Sequence, residues 1–376
     1  MIYFDNAATT LFKPEEVYLR SNRVFRDFSA NAGRSGHLPS MIASEIIYNS
    51  RQTTAKFLGI PESENVIFTF SCTDALNMVI QGLFRENDHI ITTVFEHNSV
   101  LRPLEYMKKH YNIQYDVIEP NEEGYITESE LKKHQKINTK AIIINYVSNV
   151  TGHVQPLKEI SSYAKENNLL LIADCAQAAG TQDIKNIDAD YICCAGHKGL
   201  YGPQGIGILG IKNNASAPKP LRFGGTGSMT MMLDQPEDLP EYLESGTQSV
   251  QNIAALESGI LYVSNNTERI KEHEIALAKR LVKGLKDIKN VSIYAPKQIQ
   301  SGVMGFNIDH IDSYTLSEIL DKNYKICIRG GLHCAPLLHK YLKTDKTGIA
   351  RVSFSIFNSD DEVDYLLNVI EFLSKK

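Results

Sequence analysis

Short apolar runs alternate with amphipathic segments through the first two thirds of the chain, and this alternation most limits the folds open to it. The apolar runs lack polar alternation, which predicts strands buried on both faces in a mainly parallel sheet covered by helices. The predicted strands are Asn65–Phe70, His89–Val94, Ala141–Val147, Leu169–Asp174, Tyr191–Cys194 and Gly205–Ile211. The predicted helices are Met41–Leu58, Asp74–Leu83, Val100–His110, Leu157–Asn167 and a short one near Gln177.

The pattern changes after Asn252. A long helical stretch from Ile253 to Ile288 precedes short strands that are mixed with helices. The strands predicted there are Val291–Tyr294, Val303–Ile308, Ile326–Arg329 and Ile349–Phe354, and the helices are Tyr314–Asp321 and Asp361–Ser374. We therefore predict a large α/β domain over residues 15–255 and a smaller α+β domain over residues 256–376, which also includes residues 1–14.

Composition excludes several classes of protein. No run of about 18 apolar residues could cross a bilayer, and a net charge of −5 with interspersed signs argues against a nucleic-acid partner. The N-terminus shows no secretory signal, and the six cysteines form no CxxC pair. We expect a cytoplasmic protein with free thiols, no membrane or nucleic-acid partner and no metal site.

Lys198 lies in a glycine-flanked loop that directly follows the apolar run Tyr191–Cys194. An amine in that position would be partly desolvated, which lowers its pKa and makes it a nucleophile toward an aldehyde. An ordinary loop lysine is an equally good interpretation of this segment alone.

Asp174 ends another strongly apolar strand. An unpaired buried carboxylate is costly, so this one needs a partner. A helix N-cap is the structural interpretation, and a protonated ring nitrogen is the functional one. Because both residues end predicted strands, one pocket could hold Asp174 and Lys198. A carboxylate and a Schiff-base lysine are the two groups that pyridoxal phosphate (PLP) requires.

Two further segments could complete such a site. Cys72 and Thr73 follow Ser71 at the start of a predicted helix, where free backbone N–H groups bind phosphate, although capping alone also explains them. His97 follows another strand, and its flat imidazole could stack on a pyridine ring. A solvated or capping histidine is the alternative.

Motifs along nearly the whole chain resemble those of the class V aminotransferase group of PLP enzymes of fold type I, which includes cysteine desulfurases and selenocysteine lyases. Each motif is short, but their order and joint presence are specific. They are Tyr3–Thr10, His97, Ser148–Gly152, Asp174 with Gln177, Gly196–Lys198, Glu244–Thr247 and Arg329–Pro336.

The resemblance implies a large domain with a mainly parallel seven-stranded sheet, a smaller α+β domain and a homodimer. It implies that Lys198 bonds to the cofactor, Asp174 pairs with the ring nitrogen, Gln177 with the ring hydroxyl, and His97 stacks on the ring. It places Cys72, Thr73 and His197 at the phosphate, with Thr247 reaching it from the partner subunit. Asn149 and Arg351 would hold the substrate carboxylate, and Cys334 would be the sulfur-accepting nucleophile.

The residue types support part of this scheme independently. Arg351 lies inside an apolar strand pattern, and a buried arginine needs an anion such as a carboxylate; a structural ion pair is the alternative. Cys334 lies in a glycine-containing loop beside His333, a suitable setting for a reactive thiol; a buried inert cysteine is the alternative. Arg329 could hold this loop or lower the thiol pKa.

We therefore predict a PLP-dependent cysteine desulfurase that converts L-cysteine to L-alanine, with a persulfide on Cys334 and a sulfur-acceptor protein as a possible partner. The short cysteine loop resembles that of the group II desulfurases. Gly199 is one residue more than many of them have after the lysine, and Gly330–Leu332 departs from their pattern. The alternatives are a selenocysteine lyase, a class V aminotransferase that needs no thiol, a PLP epimerase or β-lyase, and a non-catalytic PLP-binding protein.

Overall fold

The computed structural model describes residues 1–33 and 35–375. Its strands are β1 (Ile2–Tyr3), β2 (Val66–Thr69), β3 (His89–Thr93), β4 (Gln114–Ile118), β5 (Thr139–Asn145), β6 (Leu170–Asp174), β7 (Tyr191–Ala195), β8 (Gly207–Ile211), β9 (Val291–Tyr294), β10 (Val303–Ile308), β11 (Ile326–Cys327) and β12 (Ala350–Ser353). Its helices are α1 (Glu15–Asp27), α2 (Leu38–Leu58), α3 (Cys72–Leu83), α4 (Asn98–Tyr111), α5 (Glu128–His134), α6 (Leu157–Glu166), α7 (Val250–Lys286), α8 (Ser313–Tyr324), α9 (Pro336–Tyr341) and α10 (Asp360–Leu373), with a 3-10 turn at Ser63–Asn65.

Seven strands form the main sheet in the order β2-β8-β7-β6-β5-β3-β4. Strands β3, β4, β5, β6 and β7 all run parallel to one another. Strand β8 is antiparallel to both of its neighbours, β2 and β7. The predicted mainly parallel seven-stranded sheet is therefore confirmed. Strands β3, β7 and β8 are buried along their whole length, as expected for strands covered on both faces.

Helices cover both faces of this sheet. One buried cluster joins the sheet to α3 and α4, and a second joins it to α2, α5, α6 and the first part of α7. This packing brings the carboxyl ends of the parallel strands together at one edge, where the connecting loops form a crevice.

The C-terminal part of the chain has a three-stranded antiparallel sheet in the order β12-β10-β9. It packs on α8, α10 and the last part of α7 around a separate buried cluster, which includes Phe4. Strand β1 pairs with β11, so the first residues of the chain contact this part, and their assignment to the smaller domain stays a prediction. Helix α7 is continuous through residue 255, and the domain boundary there stays a prediction. No helix in residues 1–33 and 35–375 is long and apolar enough to cross a membrane.

The predicted short helix near Gln177 is wrong. This segment is a turn in which the amide of Ala178 donates to the carbonyl of Cys175. Gly180 then has φ +101°, outside the helical region, so the chain cannot continue as a helix. The other predicted helices and strands are present, with ends that shift by a few residues.

Candidate active site

A cavity of about 210 Å³ lies at the carboxyl ends of β5, β6 and β7. Asp174 is the last residue of β6, and Lys198 lies three residues after the end of β7. Both side chains line this cavity. The expectation that one pocket holds both residues agrees with the geometry, and it follows from the parallel arrangement of neighbouring strands.

The loop that carries Lys198 is fixed by close backbone packing. Gly199 lies against Ala179 and Gly180 so closely that a Cβ atom at Gly199 would be 2.3 Å from the Ala179 carbonyl oxygen. Thr10 donates a hydrogen bond of 3.2 Å to the His197 carbonyl oxygen. Burial lowers the pKa of the Lys198 amine below its ordinary value, which favours the neutral, nucleophilic form.

Asp174 is almost completely buried, with 3% of its surface exposed. Its Oδ1 accepts a hydrogen bond of 2.9 Å from the Ala176 amide, and the Cys72 thiol lies 3.6 Å from the same oxygen. Burial raises the pKa of Asp174, an effect that the Ala176 amide and Lys198 partly offset. A cationic ring nitrogen in the cavity would supply the counter-charge that this carboxylate needs.

The start of α3 forms another part of the cavity wall, next to Asp174. Ser71 caps this helix by accepting a hydrogen bond from the Asp74 amide, and Cys72 and Thr73 are its first two residues. Gly207 packs against the start of this helix so closely that an added Cβ atom would lie 2.3 Å from the Ser71 carbonyl carbon. A helix N-terminus with free amides fits a phosphate group. His197 also lines the cavity, and its buried Nδ1 has no hydrogen-bond partner among the described residues.

His97 both caps α4 and lines the cavity, so the structural and the functional interpretations hold together. Its Nδ1 accepts a hydrogen bond of 3.1 Å from the Ser99 amide. Burial, with the nearby charge of Lys198, lowers the pKa of His97 to about 4. The ring is therefore a neutral, flat imidazole. Gln177 also lines the cavity and donates a hydrogen bond of 2.9 Å to the Ala7 carbonyl oxygen.

Arg351 is fully buried and lines the cavity. One guanidinium nitrogen lies 2.5 Å from Asp5 Oδ1, and another donates 3.0 Å to the Asn149 carbonyl oxygen. Its Nε has no partner among the described residues. Arg351 therefore forms a structural ion pair with Asp5 and also lines the cavity, so the two interpretations of this residue are compatible. Arg329 lines the same cavity, so two guanidinium groups are available to an anionic ligand.

Asn149 is predicted to hold the substrate carboxylate, and that role stays a prediction. It lines the cavity, but its Nδ2 donates a hydrogen bond of 2.7 Å to the His333 carbonyl oxygen. The side-chain amide therefore holds the Cys334 loop in this structure. Its buried Oδ1 has no partner among the described residues.

Cys334 does not line the cavity of Lys198. It lies in an adjoining open cleft of about 480 Å³ between α3 and α4. The loop has positive φ angles at Gly331, His333 and Cys334, and the Asn98 amide donates 2.7 Å to the Cys334 carbonyl oxygen. The thiol is half-buried, so it is not the inert buried cysteine of the alternative interpretation.

Thr247 also lies apart from the cavity. It is exposed and lines a separate pocket with Phe70 and Arg222, and that pocket shares no residue with the cavity of Lys198. Within one chain Thr247 is therefore not a cavity residue, and a role at the phosphate would need a second subunit.

The structure adds cavity residues that the sequence analysis missed. Asn145 ends β5 beside Asp174 in the sheet register and lines the cavity, as does Ser99. Asn145 was detectable, because it is a polar residue inside the apolar run Ala141–Val147. Asp5 was recognised only as part of the Tyr3–Thr10 motif. Its contact with Arg351 joins the two ends of the chain, so the sequence did not reveal it.

Comparison with known proteins agrees with this geometry. The model of the family described as "Aminotransferase class-V" matches residues 2–366. The chain belongs to the class-V aminotransferase family. This confirms the family that the motifs indicate, and the solved structure of a cysteine desulfurase, with a TM-score of 0.93, confirms the fold of PLP enzymes of type I.

Several known proteins are similar to this chain over most of their length. A probable cysteine desulfurase of Pyrococcus abyssi is 32% identical over 100% of this chain and 94% of its own. One of Borreliella burgdorferi is 31% identical over 97% of this chain and 89% of its own. The apo structure of a cysteine desulfurase from Thermococcus onnurineus superimposes with a TM-score of 0.93 at 32% identity, covering 100% of this chain and 94% of that one.

Proposed function

We propose that this protein is a PLP-dependent cysteine desulfurase, which converts L-cysteine to L-alanine and holds the released sulfur as a persulfide on Cys334. The observation that carries the proposal is the placement of the Lys198 amine and the Asp174 carboxylate in one cavity, with the Cys334 thiol in the adjoining cleft. The named functions of the full-length relatives support the same reaction.

The cavity residues fit the cofactor. When bound, PLP would act as an electron sink that stabilises negative charge at the substrate α-carbon. Asp174 would keep the ring nitrogen protonated, because a buried carboxylate is stabilised by a cation beside it. The helix start at Cys72 and Thr73 would hold the phosphate. Gln177 would bond the ring hydroxyl, and His97 would cover one face of the ring.

Lys198 would carry the proton during turnover. Its amine, freed from the cofactor when the substrate binds, would take the proton from the substrate α-carbon and return one later. The lowered pKa of Lys198 suits this role, because a neutral amine is required at the start. Arg351, with Arg329 nearby, would bind the substrate carboxylate and orient the α-carbon toward Lys198.

The sulfur step uses the Cys334 thiolate. It attacks the sulfur of the substrate, so that a new S–S bond forms and the substrate C–S bond breaks. The electron pair of that bond stays with the carbon skeleton, which takes up a proton and becomes alanine. In this structure Cys334 lies beyond His97 and Ser99, so the step requires the loop to bring the thiol into the cavity.

The proposal includes a homodimer in which Thr247 contacts the phosphate bound by the other subunit. The exposure of Thr247 and its distance from its own cavity support this arrangement. A thiol-bearing acceptor would then remove the sulfur from Cys334.

One observation favours a second candidate. Because the thiol lies outside the Lys198 cavity, a reaction that needs no thiol also suits this geometry. A selenocysteine lyase and a class V aminotransferase are both of this kind. They would use the same lysine, aspartate and arginine.

Two variants separate these functions. We expect Lys198→Ala to lose both turnover and the near-visible absorbance band of the bound cofactor. We expect Cys334→Ser to keep that band and to lose the release of sulfide and alanine from cysteine. Cys327→Ser is the matched control, since Cys327 is a half-buried thiol outside both cavities. Equal cysteine turnover by Cys334→Ser and the parent would exclude the desulfurase mechanism and favour the thiol-independent candidates.

A further inference from the structure

The cleft that contains Cys334 is separated from the Lys198 cavity by a hydrogen-bonded wall. Thr73, His97 and Ser99 line both spaces. The hydroxyls of Thr73 and Ser99 lie 2.7 Å apart, and the Ser99 hydroxyl lies 2.8 Å from His97 Nδ1. A molecule could therefore approach the thiol from the cleft without entering the cofactor cavity.

The cleft carries one positive charge that has no ion-pair partner among the described residues. Of the described residues that line it, Arg102 is the only one with a permanent charge, and none is acidic. The acids on the two flanking helices are engaged elsewhere, because Asp74 pairs with Arg222 at 2.7 Å and Glu105 accepts 2.8 Å from the Tyr115 hydroxyl. Arg102 is exposed on the first turns of α4, and its charge helps to lower the pKa of His97.

Neutral polar groups form the rest of the cleft. Gln81 Nε2 donates 2.7 Å to Asn77 Oδ1, and Asn77 Nδ2 donates 2.8 Å to the Thr73 carbonyl oxygen. These bonds leave Gln81 Oε1 and the Tyr106 hydroxyl without a partner among the described residues. Carboxamide and phenol groups of this kind can bond to a peptide backbone, and a volume of about 480 Å³ accommodates a short segment.

We propose that this cleft receives the thiol that takes sulfur from Cys334, and that Arg102 selects an acceptor with a carboxylate next to its thiol. The inference rests on the proposed desulfurase function. The acceptor thiolate attacks the outer sulfur of the Cys334 persulfide. The bond between Cys334 Sγ and that sulfur breaks, a new S–S bond forms on the acceptor, and Cys334 leaves as a thiolate. No oxidant or reductant is needed.

The experiment measures sulfur transfer from protein already loaded with persulfide and freed of cysteine. The acceptors are mercaptopropionate, mercaptoethanol and cysteamine, which are small thiols with an anionic, a neutral and a cationic group. Each rate is divided by the rate of the parent protein with the same thiol, so that differences in thiol reactivity cancel. A cysteine-containing peptide with flanking aspartates and one with flanking lysines form a second arm, which distinguishes a free thiol from a protein segment as the acceptor.

We expect Arg102→Gln to slow transfer to mercaptopropionate by about three- to tenfold, with little effect on mercaptoethanol, because one attractive charge is lost. Arg102→Glu should favour cysteamine over mercaptopropionate. Added salt should slow sulfur transfer from the parent protein to mercaptopropionate, but it should not slow the same transfer from Arg102→Gln. Lys108→Gln, which removes a charge from the same helix outside the cleft, should match the parent.

Two failures have different meanings. If persulfide forms but the Arg102 variants transfer sulfur to all three small thiols and both peptides at the rates of the parent, the proposed acceptor site is wrong. If the parent forms no persulfide on Cys334, the proposed function itself is wrong. A preference confined to the aspartate-flanked peptide would support a protein acceptor, and one that extends to mercaptopropionate would support a small thiol.

Discussion

At the scale of single residues, Arg351 shows how this site prepares for an anion. Its guanidinium is held by Asp5 and the Asn149 carbonyl oxygen, while its Nε lacks a partner among the described residues. A buried guanidinium without a counter-charge would be costly. Asp5 therefore keeps Arg351 charged and oriented before the substrate arrives.

Replacing the Asp5 carboxylate by an amide tests this role. We expect Asp5→Asn to lower the free energy of unfolding by about 2–4 kcal/mol, because it leaves a buried cation without its ion-pair partner. Thermal unfolding measures the loss. Asp360→Asn is the control, since Asp360 pairs with Arg280 at 3.7 Å on the surface, and exposed pairs contribute less than about 1 kcal/mol. Equal losses in the two variants would contradict the role of Asp5.

Glu274 makes the stability of the protein depend on pH. It is buried on α7 and has no hydrogen-bond or ion-pair partner among the described residues. Burial raises the pKa of Glu274 from 4.5 to about 8. Between these two values the folded protein binds more protons than the unfolded chain does, so the free energy of unfolding falls as the pH rises.

Glu274→Gln removes this titration and keeps the neutral form. We expect its Tm to fall less than that of the parent as the pH rises from 4.5 to about 8, and to exceed it at the upper end. Buried Glu96, whose pKa burial also raises to about 8, should leave a residual slope. Glu272→Gln, an exposed change on the same helix, should follow the parent. A Glu274→Gln curve parallel to that of the parent would rule out this titration.

At the scale of elements, the loop after β7 determines where the Lys198 amine points. Gly199 lies in contact with Ala179. The loops that follow the neighbouring strands β6 and β7 therefore pack closely on each other.

A side chain at this position should disturb the site. We expect Gly199→Ala to cost about 1–3 kcal/mol of stability, because its Cβ would press on the Ala179 carbonyl, and to weaken retention of the cofactor. Thermal unfolding and dialysis of the loaded protein measure the two effects. Gly36→Ala is the control, since, apart from its neighbours in sequence, no atom of the described residues lies within 4 Å of the Cβ that it adds. If both variants retain cofactor like the parent, this contact does not position Lys198.

The elements also show which sequence patterns are informative. The buried central strands were predictable from uninterrupted apolar runs such as Tyr191–Ala195. Strand β4 was missed because it lies at the sheet edge and carries polar residues such as Gln114 and Asp116. The turn at Gln177 was mistaken for a helix because its alanines favour helices locally, whereas Gly180 and the packing against Gly199 end the turn.

At the scale of the whole molecule, the proposed dimer would join Thr247 of one subunit to the cavity of the other. We expect Thr247→Ala to weaken cofactor binding at the partner's site. A hybrid dimer of one Lys198→Ala subunit and one Thr247→Ala subunit tests this. If Thr247 acts across the interface, the hybrid has one site with both changes and one with neither.

Cofactor titration of the purified hybrid distinguishes the two arrangements. One site per hybrid should then bind with the affinity of the parent protein. If Thr247 acted within its own chain, no site would be intact, and every site in the hybrid would bind more weakly than the parent.

The order of motifs, the apolar strands and the residues that end them determined the family, the sheet and most of the cavity. This information is local, because a polar residue at the end of a parallel strand lies at the ligand-binding edge whatever the rest of the chain does. Only the tertiary structure placed Asp5 against Arg351, Asn149 against the Cys334 loop, and the thiol in a cleft of its own. These contacts join segments that are far apart in sequence, so their geometry depends on how the chain packs as a whole.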